Sequence, residues 1–386
     1  MTTRETNKKQ SNRIHWMDNL RTIIIFLVVL YHVGGVYESA GLWGWFWIVD
    51  DPATMTWVGV VGIMFDLFVM PTMFFIAGYL TPPSLDKKTG WGFVKGKIKR
   101  LLLPWVIAVF TLLPIYKFIF LYSRGLPQEN WTSYFYFNTP NSQNWLWFLP
   151  LLFVFNLLYL AGDRLGIKLP KLSMVWMAVI SFILSLGFSY WIGSVAGFRS
   201  WTLTPVLDFE NERLLAHFLF YIAGTMAYRR NLFAELPKSK TLYITASSVA
   251  WLPLTGHIFV RLWPFMAPGF SVTPLYQFLW FLSFHLSSLV MVYVMVESFR
   301  MYITKTGKIW EVLNRNSYGV YIIHVIVIGV FGTLLLSTNL PAVVKWILLV
   351  ISTYVSSNLI VLLYQLIKGS LSRERSQEIP QVVDAS

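Results

Sequence analysis

Stretches of about twenty mostly apolar residues recur along the whole chain, and each is long enough to cross a hydrocarbon core of about 30 Å as a helix. They are apolar at successive positions, whereas a membrane strand alternates apolar and polar residues over about ten positions. Only 13% of the 386 residues are charged. The predicted spans are 20–37, 57–80, 101–122, 144–162, 173–192, 213–228, 241–260, 274–297, 317–336 and 343–367. The sequence therefore predicts an all-α polytopic integral membrane protein with about ten transmembrane helices.

The basic residues give these helices a direction. If the N-terminus is cytoplasmic, 24 of the 31 Lys and Arg residues fall in the inner connecting segments and the two tails. Because Lys and Arg are enriched on the cytoplasmic side of membranes, we predict cytoplasmic N- and C-termini. The predicted parts are an N-tail over 1–15, a transmembrane domain over 16–368 and a C-tail over 369–386. The same bias accounts for the net charge of +13 without a nucleic-acid partner.

Cysteine is absent from the chain. Disulfides, thiolate metal ligands and a cysteine thioester intermediate are therefore excluded. The chemistry has to come from other side chains, and we expect it to need no metal.

The first predicted helix carries ionisable side chains, which are costly at membrane depth. Arg21 and His32 lie eleven residues apart, which is three helical turns plus about 20°, so they share one face about 16 Å apart. Asp18 falls on the same side and is expected to pair with Arg21. One interpretation is structural, with an ion pair and a histidine that is hydrogen-bonded to a neighbouring helix. The other interpretation is catalytic.

The depth of His32, past the middle of the bilayer from the cytoplasm, suits a transfer across the membrane. A neutral imidazole is the side chain best suited near pH 7 to take a proton from an alcohol that attacks a carbonyl. His324, predicted early in the ninth helix, is a candidate second functional group. Asp66 should have a basic partner or be protonated, but the sequence does not identify that partner.

A basic segment follows the second helix and includes Lys97 and Arg100, just before Leu101-Leu102-Leu103-Pro104. Cytoplasmic topology explains most of these charges. They would also attract a donor that carries several phosphates.

Five motifs together resemble the membrane acyltransferase-3 family, which includes polysaccharide O-acetyltransferases and glucan succinyltransferases. They are, in order, Trp16-Met17-Asp18-Asn19-Leu20-Arg21 with His32, Phe74-Phe75-Ile76-Ala77-Gly78-Tyr79, Lys97-Ile98-Lys99-Arg100 with Pro104, Leu146-Trp147-Phe148-Leu149, and Asn316-Ser317-Tyr318-Gly319-Val320-Tyr321 with His324. The first has the family's Arg-x10-His spacing. Lys97 departs from the pattern because the family usually has arginine there, and lysine offers no planar fork for phosphate.

The resemblance implies transfer of an acetyl or succinyl group from cytoplasmic acyl-CoA to a hydroxyl of a glycan or glycolipid outside a bacterial cytoplasmic (inner) membrane. By position, His32 would be the base and Arg21 its essential partner, and His324 is a third candidate catalytic residue. Arg100 and Lys97, together with Arg21, would bind the acyl-CoA donor. The family's glucan-modifying branch is slightly favoured, because the chain has no appended esterase-like domain.

Two other functions remain open at this stage. A proton-coupled transporter would use Asp66 and the buried histidines as a relay, although no internal repeat supports it. A non-catalytic partner of a glycan assembly complex would not depend on Arg21 or His32. The acidic segments Asp50-Asp51 and Asp208-Phe209-Glu210 are candidates either for sugar contacts or for helix caps.

Overall fold

The chain folds almost entirely into helices. The structure is a computed structural model that describes residues 14–39, 47–130, 132–133, 143–167, 173–235 and 238–377. The helices in chain order are α1 His15–Val36, α2 Thr56–Tyr79, α3 Thr81–Asp86, α4 Gly90–Lys97, α5 Leu103–Ser123, α6 Phe148–Arg164, α7 Met174–Val195, α8 Leu214–Arg229, α9 Leu232–Glu235, α10 Lys240–Val249, α11 Trp251–Met266, α12 Pro274–Tyr302, α13 Lys308–Leu336 and α14 Ala342–Gln377. A short antiparallel pair, β1 Trp201–Leu203 and β2 Asp208–Glu210, precedes α8.

Eight helical segments in the described part of the chain are long and apolar enough to cross a membrane. They are His15–Val36, Thr56–Asp86, Gly90–Ser123, Asn144–Arg164, Val175–Val195, Pro274–Tyr302, Lys308–Leu336 and Ala342–Ser370. The all-α polytopic class is thereby confirmed. The sixth and seventh predicted spans coincide with α8, which is only 16 residues long, and with α10 and α11, which meet at a break at Ala250.

Three prolines inside or at the start of helices are matched by hydroxyl groups from other helices. A proline has no N–H, so the carbonyl four residues earlier loses its helical donor. Pro71 frees the carbonyl of Leu67, which accepts a hydrogen bond of 2.6 Å from Ser288 Oγ on α12. Pro264 frees the carbonyl of Val260, which accepts one of 3.1 Å from Tyr276 Oη. In a membrane, where water is unavailable, these bonds replace the missing backbone donors.

The third case is at the start of α5. Pro104 leaves the carbonyl of Arg100 without a helical donor, and the preceding residues Ile98–Leu102 form a π-helical turn. Tyr318 Oη on α13 donates to this carbonyl. The basic segment is therefore attached to α13 through its backbone.

Helices α2 and α8 approach each other through two glycines. A Cβ atom on Gly78 would lie 1.9 Å from the carbonyl oxygen of Tyr221, and one on Gly224 would lie 2.1 Å from the carbonyl oxygen of Phe75. Backbone atoms cannot move aside as a flexible side chain can, so only glycine allows this close approach. Gly78 is the glycine of the FF-x-x-G motif, and its role here is packing.

We expect Gly78→Ala to destabilise the protein, because the added methyl group forces α2 and α8 apart. Overpacking of this kind costs about 1–3 kcal/mol. The measurement is thermal unfolding of the purified protein in detergent. Gly187→Ala in α7 is the matched control, since nothing lies within 4 Å of a Cβ atom there. Equal melting temperatures for the two variants would contradict the packing role.

The loop between α1 and α2, which is predicted to lie on the outer side, is fixed by a fully buried ion pair. Lys345 Nζ on α14 lies 3.0 Å and 3.1 Å from the two carboxylate oxygens of Asp51, and the two side chains are 3% and 0% exposed. Asp51 also accepts a hydrogen bond of 2.9 Å from the backbone N–H of Ala53. Asp51 therefore holds the loop in place, and its buried carboxylate is not available to a sugar.

Candidate active site

His32 lies in the second half of α1 and is half-buried. Its Nδ1 lies 2.8 Å from the carbonyl oxygen of Val28, one turn earlier on the same helix. A carbonyl oxygen can only accept, so Nδ1 carries the proton in this bond and Nε2 holds the lone pair. The helix backbone thus selects the tautomer in which Nε2 can act as a base.

His324 lies directly against His32. The two ring centroids are 4.8 Å apart and the rings meet edge to face at 79°. His324 is completely buried, and its Nδ1 lies 2.7 Å from the carbonyl oxygen of Tyr321. Its Nε2 has no hydrogen-bond partner among the described residues. Two imidazoles, each with its Nδ1 bonded to a backbone carbonyl of its own helix, are therefore paired between α1 and α13.

The position of His324 in its helix differs from the prediction. The span was predicted to begin near 317, which would put His324 early in the helix. Helix α13 begins at Lys308, because the polar residues before Ser317 also adopt helical structure, and His324 lies near the middle of the helix. This depth matches that of His32 in α1, which begins at His15.

Arg21 joins the same two helices closer to the predicted cytoplasmic side. Its Nη2 donates to the carbonyl oxygen of Asn314 at 3.0 Å, and its Nε lies 3.3 Å from Ser317 Oγ. Nη2 also lies 3.2 Å from Asp18 Oδ1, so the predicted ion pair within α1 is confirmed. Arg21 contacts an earlier part of α13 than His32 does, which shows that α1 and α13 run parallel.

A buried network of side-chain amides, one turn or less before Arg21 on α1, strengthens the contact between α1 and α13. Asn19 Nδ2 donates to the carbonyl oxygens of Ile303 and Lys305 at 3.1 Å and 3.0 Å. Asn19 Oδ1 accepts from Asn314 Nδ2 at 2.9 Å. Sequence reasoning quoted Asn19 within the first motif but gave it no role, because an asparagine that caps a distant loop leaves no local pattern.

The middle of helix α13 also contacts the residue that precedes the fourth-helix motif. Tyr321 Oη donates to the carbonyl oxygen of Trp145, and Trp145 Nε1 donates back to the carbonyl of Ile322 at 2.9 Å. Trp145 directly precedes the Leu146-Trp147-Phe148-Leu149 motif. The four motif side chains of α13 thus meet the other motifs in order, Ser317 with Arg21, Tyr318 with Arg100, Tyr321 with Trp145 and His324 with His32.

The FF-x-x-G motif reaches the same region through an aromatic stack. The ring of Phe74 is stacked on His217 at 4.8 Å and 26°, and Trp147 is stacked on the same imidazole at 5.9 Å and 30°. His217 is buried in α8. All five motifs, which are far apart in the sequence, therefore come together around α13 and α1.

Trp47, in the loop between α1 and α2, packs beside His32. Its ring centroid lies 5.8 Å from that of His32, and a Cβ atom on Gly35 would lie 2.2 Å from the indole. Arg124 Nη2 donates to the backbone carbonyl of Trp47 at 3.0 Å. The aromatic run before it, Trp43 to Phe46, lies outside the described residues. No pattern in the sequence indicates this contact between Trp47 and His32.

The two basic residues proposed for the donor lie at the base of α5. Lys97 Nζ lies 5.0 Å from the centroid of the Phe93 ring, and Arg100 is exposed in the π-helical turn. Tyr318, which holds the Arg100 carbonyl, is the residue after Ser317, which contacts Arg21. The basic segment and Arg21 are therefore linked through one turn of α13.

Asp66 has a basic partner that the sequence did not reveal. Arg213 Nη1 and Nη2 bond the two carboxylate oxygens of Asp66 at 2.7 Å and 2.8 Å. The Nε of the same arginine lies 2.9 Å from Glu210 Oε2. A carboxylate held by both oxygens in this way suits a structural role better than the proton relay of a transporter.

The second acidic segment is also used within the fold. Glu210 pairs with Arg213, and Asp208 Oδ1 accepts a hydrogen bond of 3.0 Å from the backbone N–H of Thr204. Together with the burial of Asp51, these contacts favour a structural role for the acidic residues proposed for sugar binding. Asp50 remains largely exposed, with its carboxylate 4.0 Å from Arg124.

The described residues contain no group of three or more His, Asp or Glu side chains placed to hold a metal ion.

In a comparison with known families, the model of the acyltransferase 3 family, described as an acyltransferase domain, matches residues 14–363. No curated protein and no solved structure matches the chain. The matched range contains the helices that carry all five motifs.

Proposed function

The chain belongs to the acyltransferase 3 family and is a multi-pass membrane acyltransferase, and on this basis we propose its substrates and mechanism. The acyl group, acetyl or succinyl, comes from cytoplasmic acyl-CoA. The acceptor is a hydroxyl of a glycan or glycolipid at the outer face of a bacterial cytoplasmic membrane. The transfer is therefore a reaction between substrates that approach from opposite sides of the bilayer.

The pairing of His32 and His324 at mid-helix depth carries this proposal. The Nε2 of His32 is the base, because its Nδ1 proton is held by the Val28 carbonyl. As the acceptor hydroxyl attacks the thioester carbonyl, its proton passes to Nε2 and a C–O bond forms. The C–S bond then breaks, and the proton on Nε2 passes to the departing CoA thiolate. The base is neutral again at the end of the cycle.

His324 supports His32 from α13. Two imidazoles whose centroids are 4.8 Å apart repel each other if both are protonated, so the proton taken up by one keeps its neighbour neutral. We assign His324 as a positioning residue, with its ring fixed by the bond to the Tyr321 carbonyl. Its edge contact with His32 restricts the orientation of the reacting imidazole.

The donor approaches along the cytoplasmic half of the same helix pair. Arg100 and Lys97 supply positive charge for the CoA phosphates at the base of α5, and Arg21 contacts the neighbouring turn of α13, which precedes the turn that reaches His32. Lys97 contributes a single ammonium group here rather than a planar fork. This order of residues matches a donor that extends its pantetheine arm toward His32.

The test uses the purified protein in vesicles with an inside-out orientation. Labelled acetyl-CoA and labelled succinyl-CoA are supplied outside these vesicles, and an oligosaccharide acceptor is enclosed within them. We expect label in the enclosed glycan and release of free CoA in equal amounts. Release of CoA without labelled glycan would contradict the proposed acceptor class, and the absence of both would contradict the proposed donor.

Lysine is not expected to replace Arg21 without a loss of acyl transfer. A guanidinium bonds the Asn314 carbonyl, the Ser317 hydroxyl and Asp18 at once, whereas an ammonium on a flexible stem cannot reproduce this planar set. We expect Arg21→Lys to lower kcat by about 10–100-fold, equivalent to one or two charged hydrogen bonds. The measurement is the vesicle transfer assay with matched protein amounts.

Ser317→Ala serves as the control, because it removes only the longest of these contacts. We expect a change of less than about 3-fold in transfer, in line with a weak single hydrogen bond. Full activity in the folded Arg21→Lys protein would show that positive charge alone is enough at this position.

A further inference from the structure

A second group of charged residues lies beside the histidine pair and is not used by the mechanism above. Arg261 on α11 is 5% exposed, and its guanidinium carbon lies 4.7 Å from the ring centroid of Trp280 on α12. The guanidinium of Arg199, an exposed residue after α7, lies 5.3 Å from the same ring. Two like charges therefore meet on one indole that is itself buried. Such an arrangement is favourable when an anion lies between or beside the guanidinium groups.

Arg199 and Arg261 also act electrostatically on each other and on Asp66. Asp66 is already bonded through both oxygens to Arg213, the third arginine of this region. A nearby carboxyl, Glu212, is completely buried, and burial raises its pKa, which reduces its capacity to balance positive charge. Arg213 is thus paired with both Asp66 and Glu210, and Arg199 and Arg261 add two further positive charges in a membrane protein, where such charge is costly.

His257 supplies an independent observation that points to a ligand. It lies one turn before Arg261 on α11, is 0% exposed, and has its ring centroid 5.5 Å from that of Trp280. Its Nδ1 lies 2.9 Å from Ser283 Oγ, and that hydroxyl donates to the carbonyl oxygen of Leu279 at 2.7 Å. The serine oxygen therefore accepts from Nδ1, and Nε2 is left as a bare acceptor with no donor among the described residues.

The group adjoins the reacting histidine through Tyr31. Ile258 and Leu262, which lie within one turn of Arg261 on α11, pack together with Tyr31 against the pair Trp47 and Ile63. The ring of Tyr31 lies 5.4 Å from His32, and Tyr31 interacts electrostatically with Arg261 and Arg199. The path from the exposed Arg199 through Arg261 to Tyr31 thus leads from the predicted outer surface toward His32.

We propose that Arg199, Arg261 and Trp280 form a binding site for a carboxylate or phosphate carried by a substrate, with His257 Nε2 accepting a hydrogen bond from a hydroxyl group of the same molecule. The site rests on the proposed function, because its ligand is one of the two reactants. The anion belongs either to the free carboxylate of a dicarboxylic acyl group or to a charged substituent of the glycan. In both cases the enzyme favours a charged substrate over its neutral analogue.

The experiment measures kcat/KM for four substrate pairs in reconstituted vesicles. Acetyl-CoA and succinyl-CoA are each combined with a neutral oligosaccharide and with the same oligosaccharide carrying a carboxylate. The variants are Arg261→Gln and Arg199→Gln, and Arg315→Gln, another exposed arginine, is the control. We expect the first two variants to lose about 10–100-fold on charged pairs and less than about 3-fold on the neutral pair, as for loss of a charged hydrogen bond.

The pattern of loss identifies the source of the anion. If kcat/KM falls in the variants whenever succinyl-CoA is the donor, with either oligosaccharide, the site binds the acyl group. If it falls whenever the charged oligosaccharide is the acceptor, with either donor, the site binds the acceptor. Equal losses on all four pairs in folded protein would overturn the site.

A binding measurement separates this proposal from the proposed function. Succinate and inorganic phosphate are titrated into the purified protein, and the thermal shift and tryptophan fluorescence are followed. We expect both ligands to stabilise the wild type and Arg315→Gln, and neither to stabilise Arg261→Gln. Binding without acyl transfer in any pair would contradict the proposed function alone, whereas transfer without anion binding or charge preference would contradict the site alone.

Discussion

A His32→Ala variant should fold normally and lose acyl transfer by about 10²–10⁴-fold, the usual contribution of a general base. The reason is the geometry of its imidazole, in which the Val28 carbonyl holds the Nδ1 proton and leaves the Nε2 lone pair for the acceptor hydroxyl. The loss should appear in kcat, since the proton is transferred in the chemical step. Single-turnover transfer from labelled acyl-CoA to glycan measures it directly.

His15→Ala is the matched control, because His15 is an exposed histidine at the start of the same helix. We expect it to retain wild-type transfer. His324→Ala should reduce transfer less than His32→Ala does, because His324 positions the ring that reacts. If folded His32→Ala retained transfer, the assignment of His32 as the base would be wrong. If His324→Ala lost more transfer than His32→Ala, His324 would be the base and His32 the positioning residue.

The largest loss of stability is expected for Lys345→Met. This change leaves the carboxylate of Asp51, which is 0% exposed, without its ammonium partner. Removing one member of a buried ion pair costs about 3–5 kcal/mol, because the remaining charge is buried and unpaired. Thermal unfolding in detergent should show a lower melting temperature, and the outer loop that carries Trp47 should become accessible to protease.

Asp50→Asn provides the comparison within the same loop. The side chain of Asp50 is 70% exposed and its carboxylate lies 4.0 Å from Arg124, so its loss should change stability by less than about 1 kcal/mol. The double variant Asp51→Leu with Lys345→Met should recover much of the lost stability, since no charge is then buried. If Lys345→Met were as stable as the wild type, water would have to reach the carboxylate of Asp51.

The sequence predicts the helices well because their signals are local. A span is recognised from about twenty successive residues, and eight of the ten predicted spans are confirmed as helices long enough to cross. Helix α8 is shorter than its predicted span, and α10 and α11 are broken at Ala250. The close packing of α8 on α2 through Gly78 and Gly224 is not visible in any local pattern either. The cytoplasmic location of both ends stays a prediction from charge.

The candidate site was predictable only where two residues share one helix. Arg21 and His32 follow from their spacing, and Asp18 from its distance to Arg21. Asp66 and Arg213 are separated by 147 positions, so their pairing needs the fold. The same is true of Trp47, which meets His32 only because Gly35 leaves room for its ring. The catalytic roles of His32, Arg21 and His324 remain predictions until the variants are measured.

The contacts of α13 have a mechanical consequence. Four of its side chains, within the eight residues from Ser317 to His324, contact three separate parts of the protein: α1 at two levels, the basic turn, and the turn before α6. Successive residues of a helix differ by about 100° in direction, so any rotation of α13 that releases Tyr318 from the basic turn also displaces His324 from His32. A movement of the basic turn at Arg100 would therefore be transmitted along α13 to the contact between His324 and His32.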